Sequence, residues 1–166
     1  MSAASLQQDA PVHHTAPERP RQARVPRLSS VRPPIVAEQA DARPVVLVAE
    51  DHEDSRDALR TLLDAFGYRV LEAGNGRDAV DLAVRERPDL ILMDMMMPQM
   101  DGFQATREIR SQPGMDAVTI VALTAMDGAR SDVLAAGCND LVLKPIDVRP
   151  FLDRVRAWTA AARPAD

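Results

Sequence analysis

Asp89-Leu90-Ile91-Leu92-Met93-Asp94-Met95-Met96-Met97-Pro98-Gln99-Met100-Asp101-Gly102 is the stretch whose reading decides the fold. Its apolar run has the length and composition of a buried strand and ends on a carboxylate, Asp94. Pro98 and the Asp101-Gly102 pair then break the chain and open a helix. An ionised carboxylate is costly to bury unpaired. Asp94 is therefore either solvated at a sheet edge or recruited for chemistry at the strand C-termini, where open α/β sheets bind ligands.

Three other apolar runs end in polar groups. Residues 45–49 lead into Glu50-Asp51, residues 118–123 into Thr124-Ala125, and residues 141–143 into Lys144-Pro145. Lys144 is the only lysine in a chain that otherwise uses arginine, which suggests a place where a compact, flexible ammonium is needed. Between the runs lie helical periods. Leu59, Leu62, Leu63 and Phe66 repeat at i, i+3, i+4, i+7 within 54–66, and Gly67 stops them. Residues 68–73 alternate like an edge strand. Helices are expected over 76–86, 101–112, a short stretch ending at Gly137, and from Val148 onward with Asp147 as N-cap. The last helix should bury Val148, Phe151, Leu152, Val155 and Trp158.

Five strand–helix units in strict alternation predict an α/β fold, a doubly wound five-stranded parallel sheet with five helices covering both faces. Parallel strands share one C-terminal edge. Topology then gathers Glu50, Asp51, Asp94, Thr124 and Lys144, although they span nearly the whole folded part of the chain. Clustered carboxylates repel unless a cation intervenes. Oxygen ligands with room for water suit Mg²⁺, and a nearby hydroxyl and ammonium could hold phosphoryl oxygens. A carboxylate can itself be the nucleophile, forming an aspartyl-phosphate.

The bulk numbers narrow the class. The formal net charge is −5, and residues 1–44 carry six arginines against Asp9, Glu18, Glu38 and Asp41, so the remainder is strongly acidic. That argues against direct nucleic-acid binding, which needs a basic face. No stretch has the apolar length of a membrane span. Cys138 is the only cysteine, so no intrachain disulfide forms and a reducing, cytoplasmic setting is expected. His13 and His14 have no third ligand near them in sequence and are read as non-functional. Residues 1–43, rich in proline and arginine with no apolar period, are expected to be a disordered tail. A folded domain over 44–162 and a short tail over 163–166 complete the expected organisation.

Glu50-Asp51, Asp94 with Met97-Pro98 and Asp101-Gly102, Thr124-Ala125 and Lys144-Pro145 together resemble the response-regulator receiver domain of two-component signalling. The resemblance implies a flavodoxin-like sheet of order 2-1-3-4-5 and a cis peptide at Lys144–Pro145. It makes Asp94 the phosphoacceptor, and Asp51, Asp94 and the Met96 carbonyl direct Mg²⁺ ligands, with Glu50 acting through metal-bound water. Thr124 and the Ala125 amide would grip the phosphoryl group, and Lys144 would pair with its oxygens. The implied partners are a sensor histidine kinase or a histidine phosphotransfer protein and a downstream protein. The expected role is that of a stand-alone receiver rather than an enzyme.

Two departures bear on output rather than on phosphorylation. Leu141 stands where the family usually has Tyr or Phe, and the segment between Thr124 and Ala135-Ala136-Gly137 is about two residues short of the pattern. They keep open a second reading, a constitutive interaction module that no longer switches. A third, a hydrolase of the haloacid-dehalogenase type, needs a second acid two residues after the nucleophile, where this chain has Met96.

Overall fold

The computed structural model describes residues 42–162. The expected tails therefore lie outside the described residues, apart from the last two positions of the first. Among the described residues, ten elements alternate without exception: β1 Val45–Ala49, α1 Glu53–Ala65, β2 Arg69–Ala73, α2 Gly76–Glu86, β3 Leu90–Asp94, α3 Gly102–Arg110, β4 Thr119–Thr124, α4 Arg130–Ala136, β5 Asp140–Leu143 and α5 Val148–Ala162. All four strand pairings are parallel. The sheet order is β2-β1-β3-β4-β5, the flavodoxin-like order.

The period-2 alternation of each strand divides the core in two. Leu47, Ala49, Ile91, Met93, Ile120 and Ala122 face α2, α3 and α4, packing with Val80, Ala105, Ile109 and Val133. Val46, Val48, Leu90, Leu92, Val121 and Leu123 face α1 and α5, packing with Leu63, Phe151 and Val155. Both faces of the central strands are dry, which explains why these strands read as continuous apolar runs.

Observed and expected boundaries differ by a residue or two, for local reasons. The third helix starts at Gly102 because Asp101 is its N-cap, its side chain accepting from the Gln104 amide at 2.8 Å. Gly102 packs so closely on the Asp94 carbonyl and the Met95 backbone that a β-carbon has no room there. Val148 departs from the expected buried stripe. It is exposed and lines an open groove with Ala58, Leu62, Pro145 and Ile146, whereas Phe151 and Val155 are buried as expected.

Candidate functional site

The strand ends meet as topology requires. Glu50 follows β1, Asp94 closes β3, Thr124 closes β4 and Lys144 follows β5. Alternation adds a finer selection. Asp94 continues the Leu90–Leu92 parity, Glu50 the Val46–Val48 parity and Lys144 the Val142 parity, all belonging to the α1/α5 face. One ammonium and two carboxylates are thereby aimed at one spot. Lys144 Nζ donates to Glu50 Oε2 at 2.7 Å and to Asp94 Oδ2 at 3.1 Å. The peptide between Lys144 and Pro145 is cis, as the resemblance implies.

Asp94 is not a solvated strand end. It is 4% exposed and Glu50 1%, so both carboxylates are buried and share the single lysine. Asp94 Oδ1 also accepts from the Met96 amide at 2.9 Å, and Glu50 Oε1 from the His52 amide at 3.1 Å. Burial holds the Asp94 carboxyl above its ordinary range, with Glu50 adding to the rise against the Met96 amide and Lys144. Burial also pushes Glu50 upward, but the Lys144 hydrogen bond and the His52 amide outweigh it and leave Glu50 below its ordinary value. For Lys144, burial lowers the pKa and the two carboxylates more than restore it, so the ammonium is held above its usual range.

Asp51, next to Glu50 in the chain, is in a different condition. Its Oδ1 is buried and makes no hydrogen bond. An Asp51 carboxylate oxygen, a Glu50 oxygen and a His52 ring nitrogen lie within 4.8 Å of one another, a spacing that would suit a divalent cation. A buried carboxylate oxygen with no hydrogen bond, grouped with a Glu50 oxygen, is compatible with a metal site at the acid pair; Asp94 is not in that group and joins it only through Lys144, which it shares with Glu50.

Thr124 is fully buried, its Oγ1 accepting from the Met126 amide at 3.0 Å, and Ala125 next to it is exposed. Met96 is exposed between buried Met95 and Met97. The loop after β1 is braced from α1 by Arg56, which donates to the Glu50 carbonyl at 2.9 Å and pairs with Glu72 of β2 at 3.5 Å. Neither Arg56 nor His52 stands out in the sequence. The signal for His52 was its place directly after the acid pair; for Arg56 there was none, since its partner is a carbonyl.

Residues 46–156 match the response regulator receiver domain family. The chain belongs to that family. Among curated relatives, this receiver is 33% identical to the polar-differentiation response regulator DivK of Brucella anthropi over 119 residues, covering 70% of this chain and 97% of DivK. It is 38% identical to the response regulator MprA of Mycolicibacterium vanbaalenii, covering 73% of this chain and 52% of MprA. Among solved structures, the receiver domain of the sensor histidine kinase PA1611 from Pseudomonas aeruginosa is 38% identical with a TM-score of 0.66, over 72% of this chain and 99% of that domain. That structure holds a magnesium ion in its active-site cleft. The chemotaxis protein CheY4 of Vibrio cholerae is 28% identical with a TM-score of 0.67, over 70% of this chain and 98% of CheY4. Among the described residues, no helix of this receiver is long and apolar enough to cross a membrane.

Proposed function

We propose that this receiver accepts a phosphoryl group on Asp94 from a phosphohistidine donor and signals by protein contact or passes the phosphate onward. The observation that carries the reading is the buried Asp94 carboxylate, oriented by the Met96 amide and sharing Lys144 with Glu50, which in turn is grouped with Asp51. In the transfer, an Asp94 oxygen attacks phosphorus, the P–N bond of the phosphohistidine breaks with its electron pair going to the ring nitrogen, and the imidazole, already protonated on its other nitrogen, leaves neutral. Asp51, Asp94 and the Met96 carbonyl would hold Mg²⁺, with Glu50 acting through its water ligands. Bound there, the ion supplies charge neutralisation for the phosphoryl oxygens. The Thr124 hydroxyl, the Ala125 amide and the Lys144 ammonium receive the remaining oxygens. For that, Lys144 must leave at least the Asp94 carboxylate that it now holds. Labelling by a small phosphodonor such as acetyl phosphate, followed by mapping of the modified residue, tests the assignment. Mg²⁺-dependent incorporation at Asp94 is the expected result.

The donor must approach over an accessible surface that opens on Asp94. A groove of about 490 Å³, lined by Ser55, Ala58, Leu59, Leu62 and Ile146, runs up to Glu50 and Lys144. Ala58 is exposed on α1 at its wall. Ala58→Arg should leave labelling by acetyl phosphate unchanged and slow transfer from a phosphohistidine protein by about tenfold, the scale of one lost interface residue of 1–2 kcal/mol. Unchanged transfer from the phosphohistidine protein would place the donor elsewhere.

The phosphorylated state should be long-lived. Hydrolysis of the acyl phosphate needs a water in line with phosphorus. Met96 and Met126, two residues beyond Asp94 and Thr124, are both exposed rather than committed to the core, so their flexible apolar side chains are free to cover that path. Met96→Asn removes the cover and offers water a hydrogen bond. Phosphate loss measured at fixed Mg²⁺ should be faster in the variant; an equal or slower rate would refute the shielding.

The non-switching reading has one observation in its favour. Leu141 is partly buried against the α2–α4 core, and its carbonyl accepts from Arg154 at 2.8 Å, so α5 pins this strand. Phosphodonor labelling separates the two readings, because a module that no longer switches has no need to accept phosphate.

A further inference from the structure

His52 is the N-cap residue of α1, yet its side chain makes no capping hydrogen bond. The ring is turned the other way, back toward the acids. His52 Nδ1 lies 3.4 Å from Glu50 Oε1 and 3.4 Å from Asp51 Oδ1. The ring is otherwise exposed, 77% in the side chain, so burial does not explain this orientation. The His52 amide is engaged in the same direction, donating to Glu50 Oε1. Backbone and side chain of one residue both converge on the oxygen cluster that contains the orphaned Asp51 oxygen.

We propose that His52 supplies a nitrogen ligand to the divalent cation held at Asp51, so that this site favours transition-metal ions over Mg²⁺ more strongly than an all-oxygen set would. The inference rests on the metal-binding reading given above and adds the donor that sets its selectivity. An all-oxygen site suits Mg²⁺, Ca²⁺ and Mn²⁺, whereas an imidazole nitrogen raises affinity along the series toward cobalt, nickel and zinc. Neutral imidazole is the ligand form, and Nδ1 is the atom that faces the Glu50 and Asp51 oxygens. The flexible, exposed ring needs only a small adjustment to exchange its carboxylate contacts for an ion seated between them. Mg²⁺, which dehydrates reluctantly and keeps several waters, should gain little from the nitrogen.

The test uses the full chain, Mn²⁺ as a spectroscopic probe and three variants. Pulsed EPR of bound Mn²⁺ should show nitrogen-14 modulation from a directly coordinated imidazole in the parent. That modulation should vanish in His52→Phe and persist in a His13→Ala/His14→Ala variant, which removes the other two histidines of the chain. By calorimetry, His52→Phe should weaken Zn²⁺ binding by about tenfold or more, since loss of even an outer-shell partner of a ligand costs about that much, and leave Mg²⁺ affinity within about twofold. Absence of nitrogen modulation in the parent, or its survival in His52→Phe, would overturn the proposal while leaving the metal site itself in place. Tighter Mg²⁺ and Zn²⁺ binding in His52→Phe would overturn it too, showing that the ring only competes with the ion for the carboxylates. Asp51→Asn identifies failure of the underlying reading. If that variant binds both ions as the parent does, the cation sits elsewhere and both statements fall together.

Discussion

Asp94→Asn should take up no phosphoryl group from acetyl phosphate in the presence of Mg²⁺, while its metal-free melting temperature equals or exceeds that of the parent. The first half follows from chemistry, since an amide oxygen is not a competent nucleophile. The second half follows from the contacts. Asparagine keeps the Oδ1 that accepts from the Met96 amide. It loses the carboxylate oxygen facing Lys144, but Lys144 retains its shorter contact with Glu50 at 2.7 Å. What disappears is a buried negative charge whose ionisation is opposed first by burial and then by Glu50. The net effect on stability should be within about 1 kcal/mol of zero or favourable, because relief of that buried charge offsets the new amide N–H donors turned toward Lys144. Incorporation at the parental rate would remove Asp94 from the mechanism. A melting temperature several degrees lower would show that the carboxylate itself holds the strand end.

Much of this arrangement was legible because it depends on only two periodicities. Apolar runs of strand length, interrupted by helical periods and closed by residues such as Gly67 and Pro88, leave a parallel sheet as the only economical packing. Once the strands are parallel, the residues at their C-termini are neighbours, and the alternation of Leu90, Leu92 and Asp94 even settles which face the carboxylate takes. Three things were not legible. The burial of Asp94 depends on Lys144 reaching across from β5, fifty residues away, to offset the cost of two carboxylates out of water. The exposure of Val148 depends on where the first turn of α5 lies relative to the groove, which periodicity within the helix does not report. The bracing of the Glu50 loop by Arg56 runs through a main-chain carbonyl, and any arginine on α1 could have made or missed that bond.

Lys144→Met should destabilise the metal-free protein at neutral pH and make it depend on divalent cation for stability. Lys144 is the counter-charge for two carboxylates that are 1% and 6% exposed in their side chains. Removing one partner of a buried pair costs about 3–5 kcal/mol because the other charge is stranded. Here the ammonium is 30% exposed and water reaches it, so the expected loss is nearer to roughly 2 kcal/mol. The pH dependence has a definite sign. Glu50 is held below its ordinary value of 4.5, so the stability it contributes is present above that value and is lost as pH falls through its folded-state pKa. Lys144 is held above its ordinary 10.5, so its contribution is present below that value and is lost as pH rises through the raised one. Asp94, raised by burial, opposes them, favouring the folded state below its ordinary 3.8 and losing that contribution as pH climbs through its folded-state value. The parent's advantage over Lys144→Met should therefore be largest between these limits and shrink on acidification, as Glu50 and Asp94 take up protons and no longer need a cation. Mg²⁺ should raise the melting temperature of Lys144→Met more than that of the parent, because it restores positive charge beside the same carboxylates. Thermal unfolding of both proteins from about pH 4 to pH 9, with and without Mg²⁺, decides the matter. A difference that persists unchanged at the acidic end, or equal stabilisation of both proteins by Mg²⁺, would mean that Lys144 supports the fold through packing of its stem and not through the charge it shares between Glu50 and Asp94.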